Sequence, residues 1–334
     1  MQLRWIDAAG VSDLPVEAAA ELLARPEGLV WLDVPAWDDA AERVLREVFG
    51  FHTLAIGDCA QRNQVPKVHV YTDHVFLVLH SPHPGDAGHV HTIELDLFVG
   101  DRYLVTVHGP LSAAADPAAA RIEVDALAKR LESGKLRPRH AYDLTYAIVT
   151  AVAKRMRDFT ARLTVDMWDL EYRFQAVVKE GPSGHLRDPE RFLDELFRAR
   201  HGFIMTRTQA ATSREVFARM HKIKAFGAGR GQKLIDDAVD QFHHVCAMAD
   251  GEKENLQGTI DFYQARTNTK VTIAAERLAV IAAITLPVTA VSSILGMNVI
   301  VNDQTQPLEL AVAVTAMAVM SVLLLFWAKR QGWW

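Results

Sequence analysis

Two stretches near the C-terminus limit what this chain can fold into. Leu278 to Asn302 runs for 25 residues without a charged side chain, and Leu310 to Ala328 for 19. A bilayer core is about 30 Å thick and is crossed by about 20 helical residues. Both stretches qualify. Lipid offers no hydrogen bonds to the backbone, so each is predicted to be a helix that satisfies its own. The remainder is a different material. Of the 36 Lys and Arg only Lys329 and Arg330 lie beyond residue 277, and of the 41 Asp and Glu only Asp303 and Glu309. Residues 1–277 are therefore predicted to stand in water. A wholly soluble protein and a many-helix transporter are both excluded, and a net charge of −5 gives no field for nucleic acid.

Charge also sets the expected topology. Arg266, Lys270 and Arg277 precede the first span, and Lys329 and Arg330 follow the second. The intervening segment 302–309 has no Lys or Arg. By the positive-inside rule both termini are cytoplasmic and a short acidic loop faces outward. Trp327, Trp333 and Trp334 fall where an inner aromatic belt belongs. The N-terminus, MQLRWIDAAGVSDLPVE, carries Asp7 and Asp13 and has no apolar core of signal-peptide length. Cys59 and Cys246 make no disulfide framework, as expected of a reducing compartment. The expected location is the inner or plasma membrane.

Along the chain, 1–130 mixes strand and helix signals. Residues 28–34 (GLVWLDV) read as a buried strand and 38–49 (DDAAERVLREVF) as an amphipathic helix with an acidic first turn. Residues 68–80 and 91–108 are strand-rich, with Gly100-Asp101 as a hairpin turn. Together they predict an α/β domain around one sheet, and 116–133 a connecting helix. From 131 to 277 the chain is helical and charged. Residues 143–179 form one long helix, ended by Gly181-Pro182-Ser183-Gly184. Asp188-Pro189 then starts another, with an N-cap acid and proline at the first helical position. It runs to about Ile223, and Gly227 to Gly231 breaks it. No proline follows until Pro287, so one helix of about 90–100 Å, at ~1.5 Å per residue, continues from this stalk into the first span. Such a helix needs neighbours. The third region is 278–334, with spans at about 278–298 and 309–328. The class is an α+β membrane protein.

Within the first span Thr285, Thr289, Ser292 and Ser293 share one helical stripe. Hydroxyls in a span either face protein and water or bond back to carbonyls one turn earlier. Both alternatives stand at this point. The span closes on Gly296-Met297-Asn298. Asn298 is either a simple helix-ending cap or an oxygen ligand at a pore mouth.

Gly296-Met297-Asn298 at the end of the first of two C-terminal spans, behind a long helix, resembles the CorA family of divalent-cation channels, which includes ZntB-like zinc transporters. So do the mid-span Pro287 and the basic, Trp-containing tail. Further resemblances cover nearly the whole chain: 52–58 (HTLAIGD) to HPL-x-x-E-D, 63–68 (NQVPKV) to Q-R-P-K-V, 97–108 to a strand pair, and Asp237 with Asp240 to D-x-x-D on the stalk. The family implies a funnel-shaped homopentamer in the lipid bilayer, with the first span lining a central pore. It is not an enzyme, it uses no cofactor, and divalent cations are both its substrate and its regulatory ligand. Carried onto this sequence, Gly296, Met297 and Asn298 form the selectivity filter. Leu278, Ala282, Leu286, Thr289 and Ser293 line the pore, the two leucines as apolar rings. Asp58 and Asp237 form a regulatory metal site between subunits, with Asp240 a weaker member.

Three departures bear on ion choice and control. No acid stands where M-P-E-L usually follows the filter, leaving Asp303 for an outer ring, and the acid before Asp58 is replaced by Gly57. His80, His83, His89 and His91 crowd an expected hairpin loop at 81–90, where they are either ordinary loop histidines or zinc ligands. The leading expectation is a Mg²⁺ channel that also passes Co²⁺ or Ni²⁺ and is gated by cytosolic divalent cation; the alternative is a ZntB-like, proton-coupled Zn²⁺ transporter. A membrane-anchored enzyme finds no support, since the chain has no P-loop, G-x-S-x-G, H-E-x-x-H or G-x-G-x-x-G.

Overall fold

A computed structural model describes residues 1–61, 63–85, 89–110, 117–179, 186, 188–223, 229–296 and 307–330. It divides into two compact units, Met1–Gln257 and Gly258–Trp334.

The first unit is built on a seven-stranded sheet. Its strands are β1 (Gln2–Asp7), β2 (Gly10–Leu14), β3 (Leu29–Val34), β4 (Lys67–Val70), β5 (Val75–Pro84), β6 (Val90–Val99) and β7 (Tyr103–His108), in the order β2-β1-β3-β7-β6-β5-β4. Only β3 and β7 pair in parallel. The β1–β2 hairpin has no strong signal in the sequence because one side chain builds its turn: Asp7 Oδ1 accepts from the N–H groups of Ala9 at 2.8 Å and Gly10 at 3.2 Å. The apolar run 68–80 is two strands rather than one, divided at Tyr71–His74. The expected turn at Gly100 is present, its N–H donating to Tyr103 O at 3.0 Å.

Central strands are buried on both faces, as their unbroken apolar runs require. One face (Leu32, Val34, Phe76, Val78, Phe98) is covered by α1 (Ala19–Ala24), α2 (Asp39–Arg43, continued by a π-type turn at Val44–Val48) and α3 (Thr53–Ala60). The other (Trp31, Leu77, Leu79, Leu95, Leu97) packs on α5 (Ile122–Glu132), α6 (Ala141–Lys179), α7 (Pro189–Met220) and the first turns of α8 (Gly229–Leu295). A short α4 (Pro117–Ala120) precedes α5, so the expected connecting helix is two pieces. Because α6 and α7 share this core with the sheet, the boundary expected near residue 130 lies inside one core.

Buried polar groups fix the layers. Across the parallel pair, Asp33 accepts from Thr106 Oγ1 at 2.6 Å and from His108 Nε2 at 3.0 Å, with Arg121 at 3.8 Å. Burial opposes its charge, but the bonds to His108 and Thr106 and the charge of Arg121 prevail and hold its pKa below the ordinary value. Between α5 and α6 lies a buried ion pair, Glu123–Arg155. At the start of α7, Asp188 accepts from Arg191 N at 3.0 Å, the predicted cap. Gly202 of α7 lies where a Cβ would meet Leu163 of α6, so small size at this position lets the helices approach closely.

The second unit holds the end of α8 and α9 (Pro307–Arg330). Both helices contain a segment long and apolar enough to cross a membrane. As expected, α8 is unbroken from the first unit into the span, and Pro287 lies inside it.

Candidate functional site

The stripe predicted on the first span is uncovered. Leu278 is 66 % exposed and Leu286 67 %, and Ala282, Thr289 and Ser293 are exposed too. The less exposed residues of this segment, Val280, Ala283, Ile284, Pro287, Val288 and Val291, lie on the other side of the helix. On α9 the corresponding set is Ala313, Met317, Met320, Ser321, Leu324 and Ala328, again one stripe. Each span thus has one covered and one free side. The Thr285 hydroxyl donates to Ile281 O at 2.9 Å and the Thr289 hydroxyl to Thr285 O at 2.8 Å. Each hydroxyl proton is therefore satisfied within the helix, leaving oxygen lone pairs outward. Gly296 forms the turn that closes α8, its N–H donating to Ser292 O at 3.0 Å. Met297, Asn298 and Asp303 lie outside the described residues.

Asp58 sits on the half-buried side of α3, a short helix whose start is held by His52, where Nδ1 accepts from Leu54 N at 3.2 Å. Its far end is pinned by Asn63. That side chain donates to Asp58 O at 3.0 Å and to Glu94 Oε1 at 2.6 Å, while Asn63 N donates to Glu94 Oε2 at 2.7 Å. Glu94 is buried on β6, with His80 Nε2 of β5 at 3.8 Å. Two residues on, Asp96 is fully buried against the Cys59 thiol. Burial, then the charge of Glu94, push the Asp96 carboxyl far above the ordinary carboxylate range. The Cys59 thiol is likewise pushed up by burial and by Asp96, so it is inert rather than nucleophilic. Against these acids stands Lys67, whose Nζ lies 2.7 Å from Asp58 Oδ2.

Asp237 and Asp240 are exposed on α8. Asp237 Oδ2 accepts from the Tyr146 hydroxyl and from Gln241 Nε2 at 2.5 Å. Burial, then that bond to Asp237, raises the Tyr146 pKa. Among the described residues no hydrogen bond or ion pair joins Asp58 to Asp237, and no group of three or more His, Cys, Asp or Glu is placed to hold a metal. The donors each supplies are hard carboxylate oxygens, which suit Mg²⁺. In the sequence Asn63 and Lys67 stand out only as part of a motif. Glu94, Asp96, Tyr146 and Gln241 carry no such mark, because their contacts span up to 95 residues and leave no local signal.

The four histidines do not share a loop. Strand β5 continues to Pro84 and β6 begins at Val90, so His83 and His91 are cross-strand neighbours rather than loop residues. His80 points to the α3 side and His83 to the other, where its Nδ1 lies 3.3 Å from Arg155 Nη2. His89 meets Gly85 through its carbonyl, 2.7 Å from Gly85 N.

A large α/β unit whose last long helix runs on into the first of two segments long and apolar enough to cross a membrane defines a class, the two-span membrane proteins with a large α/β body. Within that class the chain belongs to the family described as CorA-like Mg²⁺ transporter proteins, whose family model matches residues 26–330. It is a divalent metal ion transporter and not an enzyme. A Bacillus subtilis protein named as a metal ion transporter, YfjQ, is 23 % identical over 305 residues, covering 91 % of this chain and 89 % of its own. The cobalt/magnesium transport protein CorA of Thermotoga maritima is 20 % identical over 302 residues, covering 88 % and 80 %. Among solved structures, the CorA magnesium transporter of Methanocaldococcus jannaschii has the same fold, with a TM-score of 0.78 at 15 % identity over 100 % of this chain and 99 % of that one.

Proposed function

We propose that this protein is a Mg²⁺ channel that also admits Co²⁺ or Ni²⁺ and works as a homopentamer with both termini in the cytoplasm. The observation that carries this reading is the uncovered stripe of the first span in a chain of this family. A single hairpin cannot enclose a channel, and five copies of one free, partly polar helical side can. Leu278 and Leu286 then form apolar rings that stop conduction by dewetting, and Thr289 and Ser293 supply hydroxyl oxygens between them and the mouth. At the mouth, five Asn298 amide carbonyls touch a Mg²⁺ that keeps its water. They offer oxygen without the trapping charge of a carboxylate ring. Met297 packs behind, Gly296 allows the close approach, and Asp303 provides an outer attracting ring. A divalent ion moving inward through 100 mV gains about 4.6 kcal/mol, enough to drive uptake without a second ion.

Asp58 of one subunit and Asp237 of the next bind a divalent cation in the closed state. Filling stabilises that state by mass action, and loss of the ion leaves repelling carboxylates and frees the pore. The zinc alternative needs histidine ligands, and of the candidates His83 is engaged by Arg155 and His80 faces Glu94 across the strands. Purified protein in liposomes, assayed for Mg²⁺, Co²⁺, Ni²⁺ and Zn²⁺ uptake with and without a pH gradient, tests the reading. Potential-driven Mg²⁺ uptake independent of the pH gradient supports it. Uptake of Zn²⁺ alone, coupled to protons, overturns it in favour of the zinc transporter.

A further inference from the structure

We propose that Lys67 is a tethered cation that competes with the divalent ion for Asp58, so that the Lys67–Asp58 pair sets the concentration at which the regulatory site fills. The inference rests on the reading of Asp58 as a metal-binding carboxylate. Its basis is an asymmetry between the two acids of that site. Asp58 Oδ2 is held at 2.7 Å by an ammonium, whereas Asp237 Oδ2 is held by two neutral donors, the Tyr146 hydroxyl and the Gln241 amide. A neutral donor leaves the carboxylate its full charge for a cation. An ammonium at contact distance cancels it, and a divalent ion must displace the ammonium before it can use that oxygen.

The surroundings make the displacement reversible. Lys67 is half-buried on β4, and Asn63 staples the loop before it to Glu94 and to the end of α3, so donor and acceptor are held together by the fold. An exposed Lys could swing away at no cost and would set no threshold. A fully buried pair would not release. The half-buried pair lies between these limits.

Competition of this kind multiplies the apparent dissociation constant by one plus the pairing constant. A pair of this exposure weakens cation binding about fivefold, within a range of about threefold to tenfold. The test is the thermal midpoint of the full chain in nanodiscs, titrated with Mg²⁺, for the unsubstituted protein and for K67M, K67Q, K67R and D58N. The half-saturating Mg²⁺ concentration should fall about fivefold in K67M, and likewise in K67Q should K67M not assemble. K67R should stay within about twofold of the unsubstituted protein, because the charge is kept. D58N should lose the response. A purely structural role for Lys67 would lower the metal-free midpoint in all three Lys67 variants and leave the half-saturating concentration in place. An unchanged or increased half-saturating concentration in K67M and K67Q overturns the proposal, while loss of the response in D58N leaves the site assignment standing. An unaltered response in D58N, or no response in the unsubstituted protein, overturns both.

Discussion

Replacing Arg155 by Met probes the arrangement that holds α5, α6 and the β5–β6 hairpin together. Arg155 is 8 % exposed and Glu123 2 %. The guanidinium donates to both Glu123 oxygens, at 3.1 and 3.2 Å, to Ala119 O at 2.8 Å and to Pro82 O at 3.1 Å, with His83 Nδ1 at 3.3 Å. Methionine fills much of the volume but leaves a carboxylate in the interior with no counter-charge, a loss of about 3–5 kcal/mol. For a unit of this size about 2–4 °C follows each kcal/mol, so the melting point should fall by about 6–20 °C. Removing the stranded charge as well, in R155M/E123L, should return stability to within about 1 kcal/mol of the starting protein, since the pair's Coulomb gain largely repays its own desolvation. Thermal unfolding followed by tryptophan fluorescence reads both values. A fall of less than about 3 °C in R155M, or a double variant that melts no higher than the single, refutes the view that a desolvated charge governs this contact.

Two buried aspartates should respond to acidity in opposite directions. Asp33 has a folded pKa below its ordinary 3.8, so its contribution is complete above that pH and is lost as the pH falls through the folded value. The advantage of the unsubstituted protein over D33N should therefore be about 2–4 kcal/mol at pH 7 and shrink below about pH 4, as chemical denaturation at several pH values would show. Asp96 has a folded pKa well above 3.8, so the native state holds the extra proton and stability drains away as the pH rises from 3.8 towards the folded value. D96N, which cannot ionise, should gain on the unsubstituted protein as the pH climbs above 3.8; a constant difference would show that native Asp96 holds no extra proton. For the pore, L286S should wet the apolar ring and raise Mg²⁺ leak at saturating internal Mg²⁺, measured by dye-reported flux. No change in leak would remove Leu286 from the gate.

The parts of the fold that sequence made legible are those written in local chemistry. Residues 29–34 are apolar but for Asp33 and form a strand buried on both faces. Asp188 and Pro189 together mark a helix start at one position. The stretch from 232 to 286 has no proline, and the helix there is unbroken. What escaped depends on partners distant in sequence. The short strand β2, Gly10–Leu14, is mostly uncovered and has no alternating pattern, and it is held by pairing with β1 and by the Asp7 turn. The histidines looked like a loop because Pro82, Pro84 and Gly85 are turn residues, yet pairing with β6 carries the strand through to Pro84. Asp58 could be picked out by motif, whereas the Lys67 ammonium beside it and the Asn63–Glu94 staple beneath it are products of the folded sheet.

The central claim is that the first span, closed by Asn298, is the wall and mouth of an ion path. Mg²⁺ uptake into liposomes by the unsubstituted protein and by N298A, prepared side by side with their oligomeric state and melting point checked, tests it most directly. The expected result is uptake by the former and its loss in N298A, with assembly and stability unchanged. Equal uptake by the two proteins would contradict the claim, placing the ion path elsewhere or leaving the spans as no more than an anchor.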